Sequence, residues 1–574
     1  VCSLFEIFVK TTLDSLNNYK MYASFNWIKK YIKTSLEPHP QELMQTLTLH
    51  SFEVEGIQSE QAIYENIVIG QIFSLQKHPD ADSLKLCQVD IGSDMVQIVC
   101  GGSNLEKNML VAIALPGAKV RWHGEGDLVS LKETKIRGEN SFGMICAANE
   151  IGLGHSQGKE ILDLSYTKTQ PGTSIAEVFE KKDLILDIDN KSITNRPDLW
   201  SHQGLAREIA AVTKTKFEPF QASKKIKIPK TGETANITLK NPEIIRRFCS
   251  IIIDNLEVKP SPPVIQEKLN KCNIKSVNNI VDATHIVMLE LGMPMHAYDF
   301  DSISKDKQAD LTIQFADPKS APVTTLENKT IQLKANDPVI CADKTPLLLL
   351  GTMGFANSAV HDKSTKILLE AASFDQNILR KSNKNHNIRS ESFQRHEKTV
   401  DPELATDAIY LFIETLQLSC PDLKICGPVQ DSYPNPYPNK KIALELNKLN
   451  SYLGVDLTTK QAAEILDSIG FESTYNKTTL GTTPPSFRST GDISIPEDLI
   501  EEIGRLYGYY NIPSQLPPPI TKKQYENKSR KFEHSLREYL ANIGLYEAVN
   551  YSFYGPETAE ACDLSLSNHI VLSN

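Results

Sequence analysis

At 574 residues, 40% hydrophobic and 23% charged, the chain is far longer than one core serves and is expected to fold as roughly three to five globular units. Its formal net charge of −10 gives no general attraction to nucleic acid, so any basic surface must be local. No run reaches the ~18 apolar residues of a membrane span, and ten cysteines form neither a C-x-x-C pair nor a zinc-spaced cluster, which predicts reduced, mostly buried thiols in a cytoplasmic protein.

Residues 1–20 begin on Val1, carry Glu6 and Asp14 and contain no Arg, unlike a transit peptide; they read as an extension preceding a fold that starts at Met21. From Met21 to about Ile57, Phe25, Ile28, Tyr31 and Ile32 predict one helix, and Leu43, Leu47 and Leu49 after Pro40 predict a second. Alternation predicts strands at Ile67–Leu75, Leu84–Ile91, Val96–Cys100 and Leu110–Leu115, separated by breakers at His78–Asp82, Gly101-Gly102 and Pro116-Gly117. Val89 and Ile91 fall out of phase with Leu84 and Leu86, which predicts a β-bulge near Cys87 and Gln88. Short strands at this density predict a small barrel of the oligonucleotide-binding type.

Ser192–Thr213 reads as a helix with Pro197 near its start and Leu205, Ile209 and Val212 on one face. Gln221–Thr234 is lysine-rich and aperiodic, hence a linker. From there to about Pro428, strands at Ile251–Ile253, Thr312–Phe315, Pro346–Gly354 and Ile367–Phe374 alternate with helices in an α+β pattern. Within it, Ile280, Val281, Thr284, Val287, Met288 and Leu291 mark a helix that Gly292 stops and Pro294 keeps from resuming. Met295–Asp299 then reads as a short loop presenting His296; spacing alone allows a site wall or simple punctuation. Tyr433–Asn439 is a proline-rich boundary. Ile442–Pro513, with helices at Leu446–Leu453, Thr459–Ile469 and Asp498–Tyr507 and a strand pair around Ser486, reads as a winged-helix-like module. After Pro517-Pro518-Pro519 a helix from Ser529 to Ile543 leads into Tyr546–Tyr554.

Four motifs carry a first resemblance: His78-Pro79-x-Ala81-Asp82-x-Leu84, Gly101-Gly102-x-Asn104, Lys135-Ile136-Arg137-Gly138 and Gly143-Met144-Ile145-Cys146. They are similar to the tRNA-binding oligonucleotide-fold domain attached to several aminoacyl-tRNA synthetases. Such a groove needs cations for phosphates and flat side chains for bases; Lys77, Lys85, Lys119, Arg121, Lys132, Lys135 and Arg137 supply the first and Trp122 the second.

From Met21 onward, MYASFNWIKKYI, NRPDLWSHQGLAREIAA, LELGMPMHAYDFD, Asp498-Leu499-Ile500-Glu501-Glu502 and RKFEHSLREYLANIGLYEAVNYSF occur in one order. In that order they resemble the β subunit of bacterial phenylalanyl-tRNA synthetase. The resemblance implies a multidomain α+β chain: an extension of doubtful status at 1–20, an N-terminal α+β segment at 21–60, an oligonucleotide-binding β-barrel at 61–172, a return to the N-terminal domain at 173–220, a linker at 221–234, an α+β editing domain at 235–432, a winged-helix-like module at 437–513, and the start of a catalytic-like antiparallel α+β domain at 520–574. Family members run longer, so the chain is expected to be C-terminally incomplete. The resemblance also implies an α2β2 ligase joining phenylalanine to tRNA(Phe) with ATP and Mg²⁺. ATP, phenylalanine and the ligation site belong to the α subunit. The roles left to this chain are tRNA binding, support of α, and hydrolytic editing of Tyr-tRNA(Phe); the alternative is a stand-alone tRNA-binding protein or deacylase derived from such a subunit.

The family's editing positions fall on Thr284, Pro294, His296, Gly354 and Glu370, with Glu370 as the carboxylate that reads a tyrosine hydroxyl. His285, Ser390 and Ser392 belong to the same pocket. No nucleophile–base–acid triad is present, so hydrolysis assisted by the substrate itself would rest on positioning. Four residues depart from the family pattern: Lys275 for Arg, His285 for Asn, Phe355 for a second glycine beside Gly354, and Ser392 for Ala. They imply either a remodelled pocket or lost editing. Asp492, Asp498, Glu501 and Glu502 match family Mg²⁺ positions, the last three on one helix face. Read without the family, the same acids form a negatively biased helix start with a Ser494-x-x-Glu497 capping box and a Glu501–Arg505 pair.

Overall fold

The structure, a computed structural model, describes residues 20–33, 39–124, 127–153, 159–179, 181–306, 308–438, 440–488, 491–516 and 525–572. The extension expected at residues 1–20 lies, but for Lys20, outside them. The chain forms two compact units, one ending at Ile512 and one beginning at Pro513.

Met21–Ser24 is a strand, β1, rather than the start of a helix. Its Met21 and Ala23 are buried, and Ser24 then caps the short helix Phe25–Ile28 by accepting from the Trp27 N–H. Helix α1 (Pro40–His50) and strand β2 (Val54–Ser59) follow. The chain next leaves this sheet for an antiparallel one made of β3 (Ile67–His78), β4 (Ala81–Asp90), β5 (Met95–Cys100), β6 (Leu110–Ala114) and β7 (Met144–Ile145), in the order β7-β6-β3-β4-β5. Opposite Gln88 and Val89 the extra residue lies in β3, where register slips between Ile72 and Ser74; a second slip at Lys77 and His78 leaves residues 82–84 of β4 unpaired with β3, while β4 pairs with β5 without interruption. The physical reason is that Cys87, Val89 and Ile91 form the inward row, and Leu84 and Leu86 are only half-buried in the other phase. The chain returns as β8 (Leu184–Ile188), which inserts between β1 and β2. Helix α2 (His202–Val212) follows, capped by Ser201.

Residues 221–234 have no regular structure and are anchored: Ile226 is buried in the core with Ile251, Val287 and Phe412. Beyond them come β9 (Asn236–Leu239), β10 (Ile245–Asp254), α3 (Asn279–Leu291), β11 (Met295–Asp299), β12 (Asp310–Phe315), β13 (Pro338–Ala342), β14 (Thr345–Leu349), β15 (Met353–Gly354), β16 (Ile367–Phe374), α4 (Gln376–His386), α5 (Glu391–His396) and α6 (Leu404–Gln417). One sheet runs β11-β16-β10, the other β9-β12-β13-β14-β15. Asn278 begins α3 by accepting from the Ile280 and Val281 N–H groups, and Gly292, at φ +83°, ends it. Met295–Asp299 is therefore not a loop but a strand, held by β16. All eight residues of β16 are buried. Its Ile367, Leu369 and Ala371 face α3 and α6, and its Leu368, Ala372 and Phe374 face a second core with Tyr298 and Phe393.

The rest of the first unit comprises β17 (Ile442–Glu445), α7 (Leu446–Leu453), α8 (Thr459–Asp467), β18 (Glu472–Tyr475), β19 (Thr479–Thr483) and α9 (Pro496–Tyr507), with sheet order β17-β19-β18. The strand pair lies before Ser486; Ser486–Arg488 is a single 3₁₀ turn. In the second unit, α10 (Lys528–Asn542) matches the expected helix, and among its described residues there is no strand. Nine cysteines among the described residues are free thiols, seven of them buried. No helix described is long and apolar enough to cross a membrane.

Candidate functional site

The β11–β16 pairing sets His296 directly opposite Glu370. Two residues along β11, on the same face, Tyr298 donates its phenol hydrogen to Glu370 Oε2 at 2.5 Å. Tyr298 is fully buried and Glu370 is 3% exposed. Burial pushes the Glu370 carboxyl up to about 7, although the Tyr298 hydrogen bond pulls it down. The His296 ring stands edge-on to Tyr298, 4.5 Å between centroids. Its Nε2 is sealed from solvent with no hydrogen-bond partner, and burial lowers its pKa to about 4, so the imidazole is neutral near pH 7.

Gly354 closes one side of this group. A Cβ on Gly354 would stand 2.5 Å from His296 Cε1 and 2.9 Å from Leu326 Cδ1, so only glycine leaves the imidazole its place. Phe355, the extended residue after Gly354, falls on the opposite face, where it is buried with Val339, Leu349 and Ile388. Ser390 caps α5 and donates to the Thr352 carbonyl at 2.6 Å, and Ser392 reaches the Gly351 carbonyl at 3.4 Å, so both brace the turn leading to Gly354. The Thr284 hydroxyl is committed to its own helix, donating to Val281 O at 2.6 Å. His285 is half-buried, burial lowers its pKa, and its Nδ1 has no partner. Pro294 is buried just before β11, whereas Lys275 is exposed. Tyr298 carries no signal in the sequence while 295–299 reads as a loop; alternation along a strand places it beside His296.

The four acids of α9 and its approach line one cavity of about 280 Å³ with Arg488 and Thr399. The expected convergence on one point is not seen: among the described residues no three His, Cys, Asp or Glu side chains are disposed to hold a metal. Arg488, itself 1% exposed, donates to Asp492 through Nε and to Glu502 through Nη1. Asp498 accepts from the Ser494 and Ile495 N–H groups and so caps the helix, the part expected of Glu497, which instead pairs with Lys448. Arg505 pairs with Glu502 and Glu208, not with Glu501. Burial raises Asp492 to about 6 despite Arg488, so the cavity holds an incompletely compensated carboxyl, and its donors are oxygens of the type a hard divalent cation takes.

In the β3–β7 region, His78 Nε2 bonds the Ile136 carbonyl at 3.2 Å and Arg137 reaches the Asp80 carbonyl at 3.4 Å. These links bring two separate motifs together, with Lys77 opposite Lys85 and exposed Lys135 and Arg137 alongside. Lys119 and Arg121 both point outward on a second hairpin, next to Trp122, which is 55% exposed. Lys132 is exposed as well.

Family models match along the chain. A putative tRNA binding domain covers residues 67–174, a B3/4 domain 244–421, a tRNA synthetase B5 domain 442–509, and a phenylalanyl tRNA synthetase beta chain CLM domain 512–574. The phenylalanine–tRNA ligase beta subunit of Clostridium tetani is 32% identical over 569 residues, 96% of this chain and 68% of that protein. Its counterpart in Oceanobacillus iheyensis is 31% identical over 538 residues, 93% of this chain and 65% of that protein, so the chain spans about two thirds of such relatives. A solved N-terminal fragment of the phenylalanyl-tRNA synthetase beta subunit of Pyrococcus horikoshii aligns over 57% of this chain and 87% of its own at 14% identity, with a TM-score of 0.30, too slight a likeness to carry an argument.

Proposed function

Because this chain belongs to the phenylalanine–tRNA ligase β-subunit family, we propose that it acts in the cytoplasm within an α2β2 ligase, binding tRNA(Phe), supporting the catalytic α subunit and hydrolysing Tyr-tRNA(Phe). The β-subunit relatives favour this over a stand-alone deacylase. The sheet of β3–β7 would serve as the oligonucleotide-binding barrel, with the Lys77, Lys85, Lys135 and Arg137 group and the Lys119, Arg121 and Trp122 group meeting phosphates and bases. The segment from β17 to α9 would serve as the winged-helix-like module, and the second unit as the start of the catalytic-like domain.

The observation that carries the editing reading is the His296–Glu370 register pair under Gly354. A pocket shaped for phenylalanine rejects an added hydroxyl only weakly, so a second site that recognises the phenol is useful. A carboxyl poised near 7 in a dry wall discriminates a hydroxyl that phenylalanine lacks. Neutral His296, whose unpartnered Nε2 is closed to solvent in this structure, would hold the water or ribose hydroxyl near the ester once the wall under Gly354 opens to admit it, and positioning would do the rest. Deacylation of Tyr-tRNA(Phe) by the assembled α2β2 enzyme tests this. His296→Ala should slow it at least ~10-fold, within the range of lost proton-transfer or positioning groups, while Phe-tRNA formation is unchanged. Equal deacylation by both forms would refute the assignment.

The Mg²⁺ implied by the family would fall to Asp492, Asp498, Glu501 and Glu502, but Arg488 already engages Asp492 and Glu502 and Asp498 caps α9, so of these four Glu501 is the one that would recruit the ion. Mg²⁺ should then raise the thermal midpoint of the wild-type chain and leave that of Glu501→Gln unmoved; an identical response in both would remove the site.

A further inference from the structure

A second cavity, of about 580 Å³, lies between the 188–194 loop, α4 and α5. Its volume falls in the range of pockets that hold small organic ligands. Six cations line it, Lys20, Lys191, Arg380, Lys384, Arg389 and Lys398, against three acids, in a chain whose overall charge is strongly negative. Two of those acids are already matched, Glu55 by Lys20 at 3.0 Å and Glu397 by Lys398 at 3.0 Å. The cavity is therefore locally positive, and an anion entering it meets low-dielectric walls that strengthen the attraction.

A bare anion would not account for the rest of the lining. Gln394, 9% exposed, carries a buried Nε2 with no hydrogen-bond partner, and Asn383 carries a buried Oδ1 with none. Buried polar atoms are nearly always satisfied, so an unpaired donor and an unpaired acceptor on two residues of one cavity wall, both closed to solvent in this structure, would be satisfied by a ligand toward which the two amides turn. Ile188, Trp200 and Phe393 add apolar surface beside them. Cations, one amide donor, one amide acceptor and apolar walls together describe the recognition of a phosphate joined to a hydrogen-bonding planar ring. We propose that this cavity binds a single nucleotide, its phosphate among Lys191, Arg380, Lys384 and Arg389 and its base edge on Gln394 and Asn383. None of these residues belongs to the β3–β7 surface or to the His296 pocket.

The nucleotide can be a free mononucleotide or one unpaired unit of an RNA strand, and binding by the full chain separates the two. The probes are AMP, a short single-stranded oligoribonucleotide and inorganic phosphate, each tested on wild type, on the doubly substituted Lys191→Glu/Lys384→Glu and on Gln394→Leu. Lys191 and Lys384 are exposed, so the double variant is expected to keep its fold, with thermal melting as the control. Charge reversal should weaken nucleotide binding about tenfold or more at low salt. Gln394→Leu should weaken it severalfold without changing the weaker affinity for phosphate. AMP binding assigns the site to a free nucleotide, and oligoribonucleotide binding without AMP binding assigns it to RNA. Phosphate binding as tightly as either nucleotide, or affinities untouched by the charge reversal, would overturn the proposal.

Discussion

At the scale of single residues the decisive pair is Tyr298 and Glu370. The chain's own phenol already occupies one oxygen of the carboxyl assigned to read a substrate phenol. Burial raises Glu370 from 4.5 to about 7, so the folded state takes up a proton that the unfolded chain gives up. The group is neutral and without penalty below about 4.5; its cost to stability grows as pH rises to about 7 and then levels off at about 3 kcal/mol. Glu370→Gln should flatten that part of the stability–pH curve in urea melts. Tyr298→Phe removes the hydrogen bond that lowers the pKa and should move the carboxyl titration above 7, read from the infrared C=O band; a titration that moved down instead would contradict the pairing. Glu370, His296 and Gly354 were legible in the sequence because motif and family position name them. Tyr298 was not, since its role depends on a strand register that Gly292 and Pro294 disguise as a loop.

At the scale of elements, α3 was readable in its body and its end because those signals are local, an apolar stripe and a glycine in the left-handed region, whereas its Asn278 cap emerged only from the structure. The elements misread were those whose state is set by a neighbour. β11 is a strand because β16 pairs with it, and the bulge moved to β3 because the inward row of β4 is Cys87, Val89 and Ile91. Gly354 shows how closely these elements approach. Gly354→Ala places a methyl 2.5 Å from the His296 ring, which should cost about 1–3 kcal/mol in chemical denaturation and displace the imidazole. Tyr-tRNA deacylation should then fall along with stability; an alanine variant of full stability and activity would mean that the ring has somewhere else to go.

At the scale of the whole first unit, a buried ion lattice joins parts of the chain that spacing could not connect. Arg196 bonds Asp198 at 2.9 Å and Glu208 at 3.0 Å, Arg505 bonds Glu208 and Glu502, and Arg488 bonds Glu502 and Asp492. A Glu501–Arg505 pair was the natural expectation because i, i+4 partners are visible in sequence, whereas Glu208 is 297 residues away. Burial opposes the charge on Glu208, but Arg505 and Arg196 outweigh it and hold its pKa to about 2. The stabilisation is therefore complete above about 4.5 and lost as pH falls toward 2. Arg505→Met takes one of two guanidinium partners from each of two buried carboxylates, Glu208 keeping Arg196 and Glu502 keeping Arg488, and should destabilise by roughly 3–5 kcal/mol, with acid unfolding shifted to higher pH. Unchanged urea and acid midpoints would show that the lattice carries no net stability.

The same lattice has a consequence in time. Glu208 is made twelve positions after Arg196 and can meet it at once, but its second guanidinium arrives 297 residues later. At a synthesis rate of roughly 5–20 residues per second that delay is about 15–60 s. Throughout it, a carboxylate bound for the interior has only half its neutralising charge, and α2 waits with an acid that water must still solvate. Residues 196–208 thus reach their final ionisation and burial only after the ribosome has passed Arg505.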